Sequence, residues 1–138
     1  MSYPIRLIAL ALLLAGGSAR AADLVVRFKG VSSGAGVVMA ALYDSESAYK
    51  AKDALRKMRL PASGPLTAEF KDLPPGKYAI TAYHDENGNG ALDKASTGEP
   101  TEAYGFSRNP SARFGPPPFP DMAVVVDKTN VQIDVVLE

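Results

Sequence analysis

The chain has 138 residues, with 15 Lys+Arg balanced by 15 Asp+Glu, one His and no Cys. This length suits one domain, since two separate cores would each be too small, and zero net charge lacks the basic excess of a general nucleic-acid binder. Without cysteine there is no disulfide frame, thiol nucleophile or thiolate metal site, and zinc ligation would rest on His84 alone.

Arg6 precedes an apolar run from Leu7 to Ala15, and Ala19 and Ala21 then form the A-x-A pattern that ends a cleaved secretory signal. Nine apolar residues rise only about 14 Å as a helix, well short of a bilayer core of about 30 Å, which argues against a membrane anchor. Residues 1–21 are therefore expected to be a signal peptide, with no membrane span after its removal. Residues 22–138 are expected to form a single periplasmic or secreted domain with 13 basic and 15 acidic residues.

Leu24, Val26 and Phe28 alternate with Val25, Arg27 and Lys29, a period of two that fits a half-buried strand. Gly34-Ala35-Gly36 leads into the apolar run Val37–Tyr43, which reads as a central strand. Asp44 or Ser45 then suits a helix cap, and Ala48, Ala51, Leu55 and Met58 fall on one helical face, predicting one short helix. Lys50–Arg59 holds five cations and one anion, a positive patch or simply a solvated face.

Met58–Leu60 and Leu66–Phe70 flank Ser63-Gly64-Pro65 and read as a hairpin. Leu73-Pro74-Pro75-Gly76 makes a second turn before the strand Lys77–Tyr83. Met122–Val126 and Val131–Leu137 are predicted as the last two strands, joined by 127–130. Seven short strands separated by turn signals favour an all-β, antiparallel β-sandwich, with a closed barrel as the alternative.

The stretch Asp85–Asp121 shows no convincing strand or helix and contains six of the eleven prolines. Such a long Gly/Pro/Asn-rich loop is unusual in a compact domain unless it is functional or disordered. Tyr104, Phe106, Phe114 and Phe119 give it apolar anchors that argue for order. At its start, Asp85, Asn87, Asn89 and Asp93 occupy relative positions 1, 3, 5 and 9, with Gly90 at position 6 and the Ala91 carbonyl at 7. These are the offsets of an EF-hand-type Ca2+ loop, where alternation lets oxygens converge as the backbone curls. Position 12 is Ser96 rather than the bidentate Glu of the full motif, so Glu99 or Glu102 would have to fold back to supply that carboxylate. Five acidic residues against Lys94 give this segment a charge of −4, which favours a hard divalent cation. The alternative is a pair of tight Asn-Gly turns without metal.

The linked motifs Phe70–Ala79, Tyr83–Asp93 and Gly98–Ser107 resemble the DUF2141 family, small exported bacterial proteins with no established function, over almost all of the exported domain. The Asp72–Tyr78 turn is also similar to transthyretin-like and carboxypeptidase-regulatory-like sandwiches. The resemblance implies a prealbumin-like or immunoglobulin-like sandwich and brings no reaction with it.

Catalysis has little to work with. His84 and Asp85 are adjacent, so on a strand they point to opposite faces and form no natural dyad. His84 with Glu99 or Glu102 is the remaining hydrolase-like grouping, and Ser107 has no nucleophile elbow around it. The reading favoured by the residues is a non-catalytic module with a Ca2+-stabilised loop. It would present Tyr104, Phe106 and Phe119 to an extracytoplasmic protein, peptide or carbohydrate, and not to nucleic acid.

Overall fold

The structure is a computed structural model that describes residues 20–138. The expected signal peptide lies outside the described residues apart from Arg20 and Ala21.

The apolar alternation near the start becomes β1 (Ala22–Lys29), with Leu24, Val26 and Phe28 buried in the core. The continuous apolar run becomes β2 (Val37–Tyr43), central in its sheet. The helix α1 spans only Glu46–Lys50, with the Ser45 hydroxyl accepting from the Ala48 amide as its cap. Its end is set by Lys52 in the left-handed region at φ 56°, with Asp53 N–H bonding the Ala48 carbonyl and Lys52 N–H that of Tyr49. This is the Schellman closure. The helix face predicted through Leu55 and Met58 is thus cut short: Leu55 is exposed, and Met58 belongs to the edge strand β3 (Arg56–Pro61).

Next come β4 (Thr67–Leu73) and β5 (Gly76–Asp85). The hairpin predicted about Ser63-Gly64-Pro65 is not one, because β3 pairs with β2 whereas β4 pairs with β1 in the other sheet. The stretch read as irregular contains β6 (Tyr104–Phe106) and the single turn α2 (Phe119–Met122). The chain closes with β7 (Val124–Val126) and β8 (Val131–Val136). These last two are not a hairpin either: β7 pairs with β5, and β8 runs parallel to β1.

Among the described residues the result is an all-β sandwich of eight strands. One sheet has the order β4-β1-β8, and the other β3-β2-β5-β6, with β7 on the first part of β5. All pairs are antiparallel except β1–β8. Leu24, Val26, Phe70 and Leu73 from the first sheet meet Val38, Leu42 and Ile80 from the second in one core. Burying each such side chain contributes roughly 2–3 kcal/mol. A satellite cluster of Tyr43, Ala79, Phe119 and Met122 seals one end of the second sheet's outer face. Paired backbone bonds between Tyr104 and Glu138 stitch the β6 edge to the chain just beyond β8, linking the two sheets at one side.

Candidate functional site

The acidic loop leaves the sheet at the end of β5, where β2 pairing places Asp85 opposite Val37 and His84 opposite Val38. Alternation turns His84 inward and Asp85 outward, yet both are buried, at 2% and 1% exposure. Asp85 escapes the usual cost of burial because Oδ1 accepts from the Asn89 amide at 3.1 Å and Oδ2 from the Gly90 amide at 2.8 Å. Gly90 sits at φ 81°, the left-handed geometry the curl needs. Two Asx turns continue it: Asn87 Oδ1 accepts from Asn89 N–H and Asn89 Oδ1 from Ala91 N–H, each at 3.1 Å.

The side-chain amides of Asn87 and Asn89 then converge on Asp93. Asn89 Nδ2 donates to one carboxylate oxygen at 2.6 Å, and Asn87 Nδ2 donates to the other. Glu102 folds back, as required of a closing carboxylate. Its two oxygens accept from the Glu86 and Asp93 amides, both at 3.0 Å. Glu99 does not join: it is exposed, and its backbone carbonyl instead closes a small turn with Ala95. The loop is therefore ordered by its own polar groups, with a Lys94–Pro100 bridge at its tip.

A second clamp holds its base. His84 Nε2 lies 2.7 Å from the Ala35 carbonyl, and since a carbonyl only accepts, that nitrogen carries the proton. Ser33 donates to Glu86 at 2.6 Å. Gly36, at φ 68°, lies so close that an added Cβ would stand 2.0 Å from the Asp85 carbonyl oxygen. The sequence reading missed this clamp, although Gly34-Ala35-Gly36 was its visible signal.

Among the described residues no three His, Asp or Glu side chains form a group able to hold a metal by themselves. The donor set here is mixed, carboxylates of Asp85, Asp93 and Glu102 with amides of Asn87 and Asn89, and such oxygen donors fit a hard cation. In this arrangement amide N–H groups neutralise Asp93. Rotating each amide half a turn would put oxygens there, a crowding of acceptors that a cation relieves. Burial, followed by the charges of Asp85, Glu102 and Asp93, raises the Tyr83 phenol above its ordinary pKa, so the cluster's field reaches the neighbouring sheet face.

The expected partner contacts divide. Tyr104 and Phe106 are half-buried on β6, their rings edge-to-face at 5.8 Å. Phe119 is only 8% exposed, drawn into the satellite cluster because α2 packs on the end of the sheet, so it is unavailable to a partner. Phe114 is fully exposed and anchors nothing. Ser107 is buried at 0% exposure: its hydroxyl accepts from the Ile80 amide at 2.9 Å and donates to the Met122 carbonyl at 2.6 Å. Its role is to tie α2 to β5.

The family profile described as "Uncharacterized protein conserved in bacteria (DUF2141)" matches residues 26–134, from within β1 to within β8. The chain belongs to this family. That span takes in both sheets and the whole acidic loop, so the loop lies inside the DUF2141 unit and is no appendage to it. No curated protein and no solved structure matches the DUF2141 chain. Among its described residues no helix is long and apolar enough to cross a membrane.

Proposed function

We propose that this DUF2141 chain is an exported, non-catalytic binding module. Its 85–102 loop takes Ca2+, and Tyr104 and Phe106 face an extracytoplasmic partner. The observation that carries the metal reading is the convergence of Asn87 and Asn89 on Asp93, within a ring that Asp85 and Glu102 brace. Asp85, Asn87, Asn89, Asp93 and Glu102, with the Ala91 carbonyl, are the groups that would hold the ion. Its charge would replace the amide N–H groups now neutralising Asp93. A loop already ordered loses little further entropy on binding, which favours affinity, whereas the missing bidentate Glu at position 12 lowers it into the millimolar extracellular range.

The hydrolase alternative has weaker support. The His84 ring is buried and bonded to a backbone carbonyl, both Glu102 oxygens accept from backbone amides, and Glu99 stands apart in solvent.

Calorimetric titration with Ca2+ tests the metal reading. The protein is expected to bind one ion and to melt at a higher temperature when loaded. Asp93→Asn removes the central charge, so it should abolish the binding heat, and because one of its two amide partners would then meet an NH2 group instead of an oxygen it should also lower the metal-free melting temperature slightly. Identical melting with Ca2+ and with chelator, together with no heat, would sink the proposal.

A further inference from the structure

The inner faces of the two sheets bury one another, and the outer face of the larger sheet is covered only at its ends. At one end Tyr43 and Ala79 lie in the satellite cluster with Phe119 and Met122. At the other end Val37 and Asp85 are buried where the acidic loop departs. Between them, strand register sets two rows of side chains across the sheet. One row reads Arg59, Met39, Tyr83, Tyr104, and the next reads Lys57, Ala41, Thr81, Phe106. The aliphatic, threonine and aromatic members are half-buried, and the two cations on the β3 edge are exposed. With strands about 4.8 Å apart, these rows span on the order of two hundred Å2, so the charged rims must supply the larger share of one side of an interface.

This face is electrically two-ended. On this face the cations are Lys57 and Arg59, because Lys50 and Lys52 belong to α1 and its end and Arg56 reaches the Lys71 carbonyl of the other sheet, whereas residues 85–102 sum to −4. Lys50 is paired with Glu46, but among the described residues Lys57 and Arg59 make no ion pair. The cations line the β3 edge, whereas the acidic loop starts at the end of β5, where Glu86 meets Ser33, and crosses to the β6 edge. A surface with opposite charges on either side of a largely apolar middle complements itself under twofold rotation, because each copy's positive edge then lies on the other's negative loop.

We propose that this outer sheet face is an isologous interface between two copies of this chain, with Lys57 and Arg59 of each copy meeting the 85–102 loop of the other across Met39, Tyr83, Tyr104 and Phe106. The inference rests on the reading of Tyr104 and Phe106 as partner contacts and names a second copy as that partner.

Sedimentation velocity of the purified protein across the micromolar range, at about 20 mM and about 0.5 M salt, is the first measurement. A dimer at low salt that weakens at least about tenfold at high salt is expected. Two charge reversals follow: Lys57→Glu with Arg59→Glu in one protein, Glu86→Lys with Glu99→Lys in another. Each should be monomeric alone, since its homodimer would set like charges together. Mixed in equal amounts they should form a heterodimer, in which both contacts are restored with reversed sign. A wild-type protein that stays monomeric, a dimer indifferent to salt, or variants that dimerise alone as wild type does would each overturn the proposal. If a variant failed to fold, the wild-type salt series would still decide. A monomer that binds Ca2+ would defeat this interface and leave the metal reading standing; a dimer without any Ca2+ effect would do the reverse.

Discussion

Ser107 shows how much one buried hydroxyl can hold. With one atom it satisfies the Ile80 amide and the Met122 carbonyl, groups separated widely in sequence and sealed from water. Ser107→Ala strands both, so a loss of about 2–3 kcal/mol is expected in chemical denaturation. Gly36→Ala should cost at least as much, because the new Cβ meets the Asp85 carbonyl and the residue must hold φ 68°. Its effect should also reach the loop, lowering protection of the Asn89 and Gly90 amides in hydrogen exchange. Neither role was legible beforehand. A serine within a loop carries no local mark of its partners, and the Gly34-Ala35-Gly36 run signals a close approach without saying what approaches.

Asp134 on β8 gives a charge-based prediction at the same scale. Contacts from Lys29, at 2.7 Å, and Arg27, at 2.8 Å, hold its carboxyl below the ordinary value. A depressed folded-state pKa means the contribution is present above the unfolded carboxylate value and is lost as pH falls through the folded one. Asp134→Asn should therefore lower stability slightly at neutral pH and flatten the acid limb of the stability curve below about pH 4, an effect that added salt reduces.

At the scale of the element, the 85–102 loop combines rigidity with independence from the core. Its polar groups are paired internally, and it meets the sandwich at Asp85, the last residue of β5, and at Glu86, which accepts from Ser33. With the proposed Ca2+ site, a protease is expected to cut between residues 94 and 101 faster in chelator than in Ca2+ while both sheets survive as one resistant fragment set, which mass analysis of the digest would show. Uniform loss of the whole protein would contradict a loop that opens on its own. Tyr83 supplies a spectroscopic check. Its raised folded-state pKa puts its ionisation above about pH 10, and its stabilising neutrality is present below that value and lost as pH rises through the folded one. Ca2+ offsets the carboxylate part of the cause but not the burial, so the Tyr83 component of the tyrosinate absorbance should move partway down on loading and be missing in Tyr83→Phe.

Across the whole molecule the two sheets depend on contacts distant in sequence. β1 pairs at once with β4 and, in parallel, with β8. Removing 131–138 would expose β1 and undo the Tyr104–Glu138 stitch together. Amides of β1, β2 and the middle of β5 are expected to exchange only by global unfolding, and those of β6 and β7 earlier, since these two are three-residue strands at the margin of their sheet.

Alternation made β1 visible in the sequence, because it is a local consequence of one strand facing one core, and the unbroken apolar run Val37–Tyr43 marked β2 as central. Oxygen spacing and Gly90 likewise marked the Asp85–Asp93 curl, whose turns close over a few residues. Pairing is a different matter. The Ser63–Pro65 turn looked like a hairpin, yet it carries the chain from one sheet to the other, as the 127–130 connection also does. β6 is too short to show a period and exists because β5 offers it an edge. Glu102 rather than Glu99 closes the loop, and Phe119 packs inward rather than out, for the same reason: local chemistry fixes what a segment can do, and the long-range partners available in the folded chain select which of those things it does.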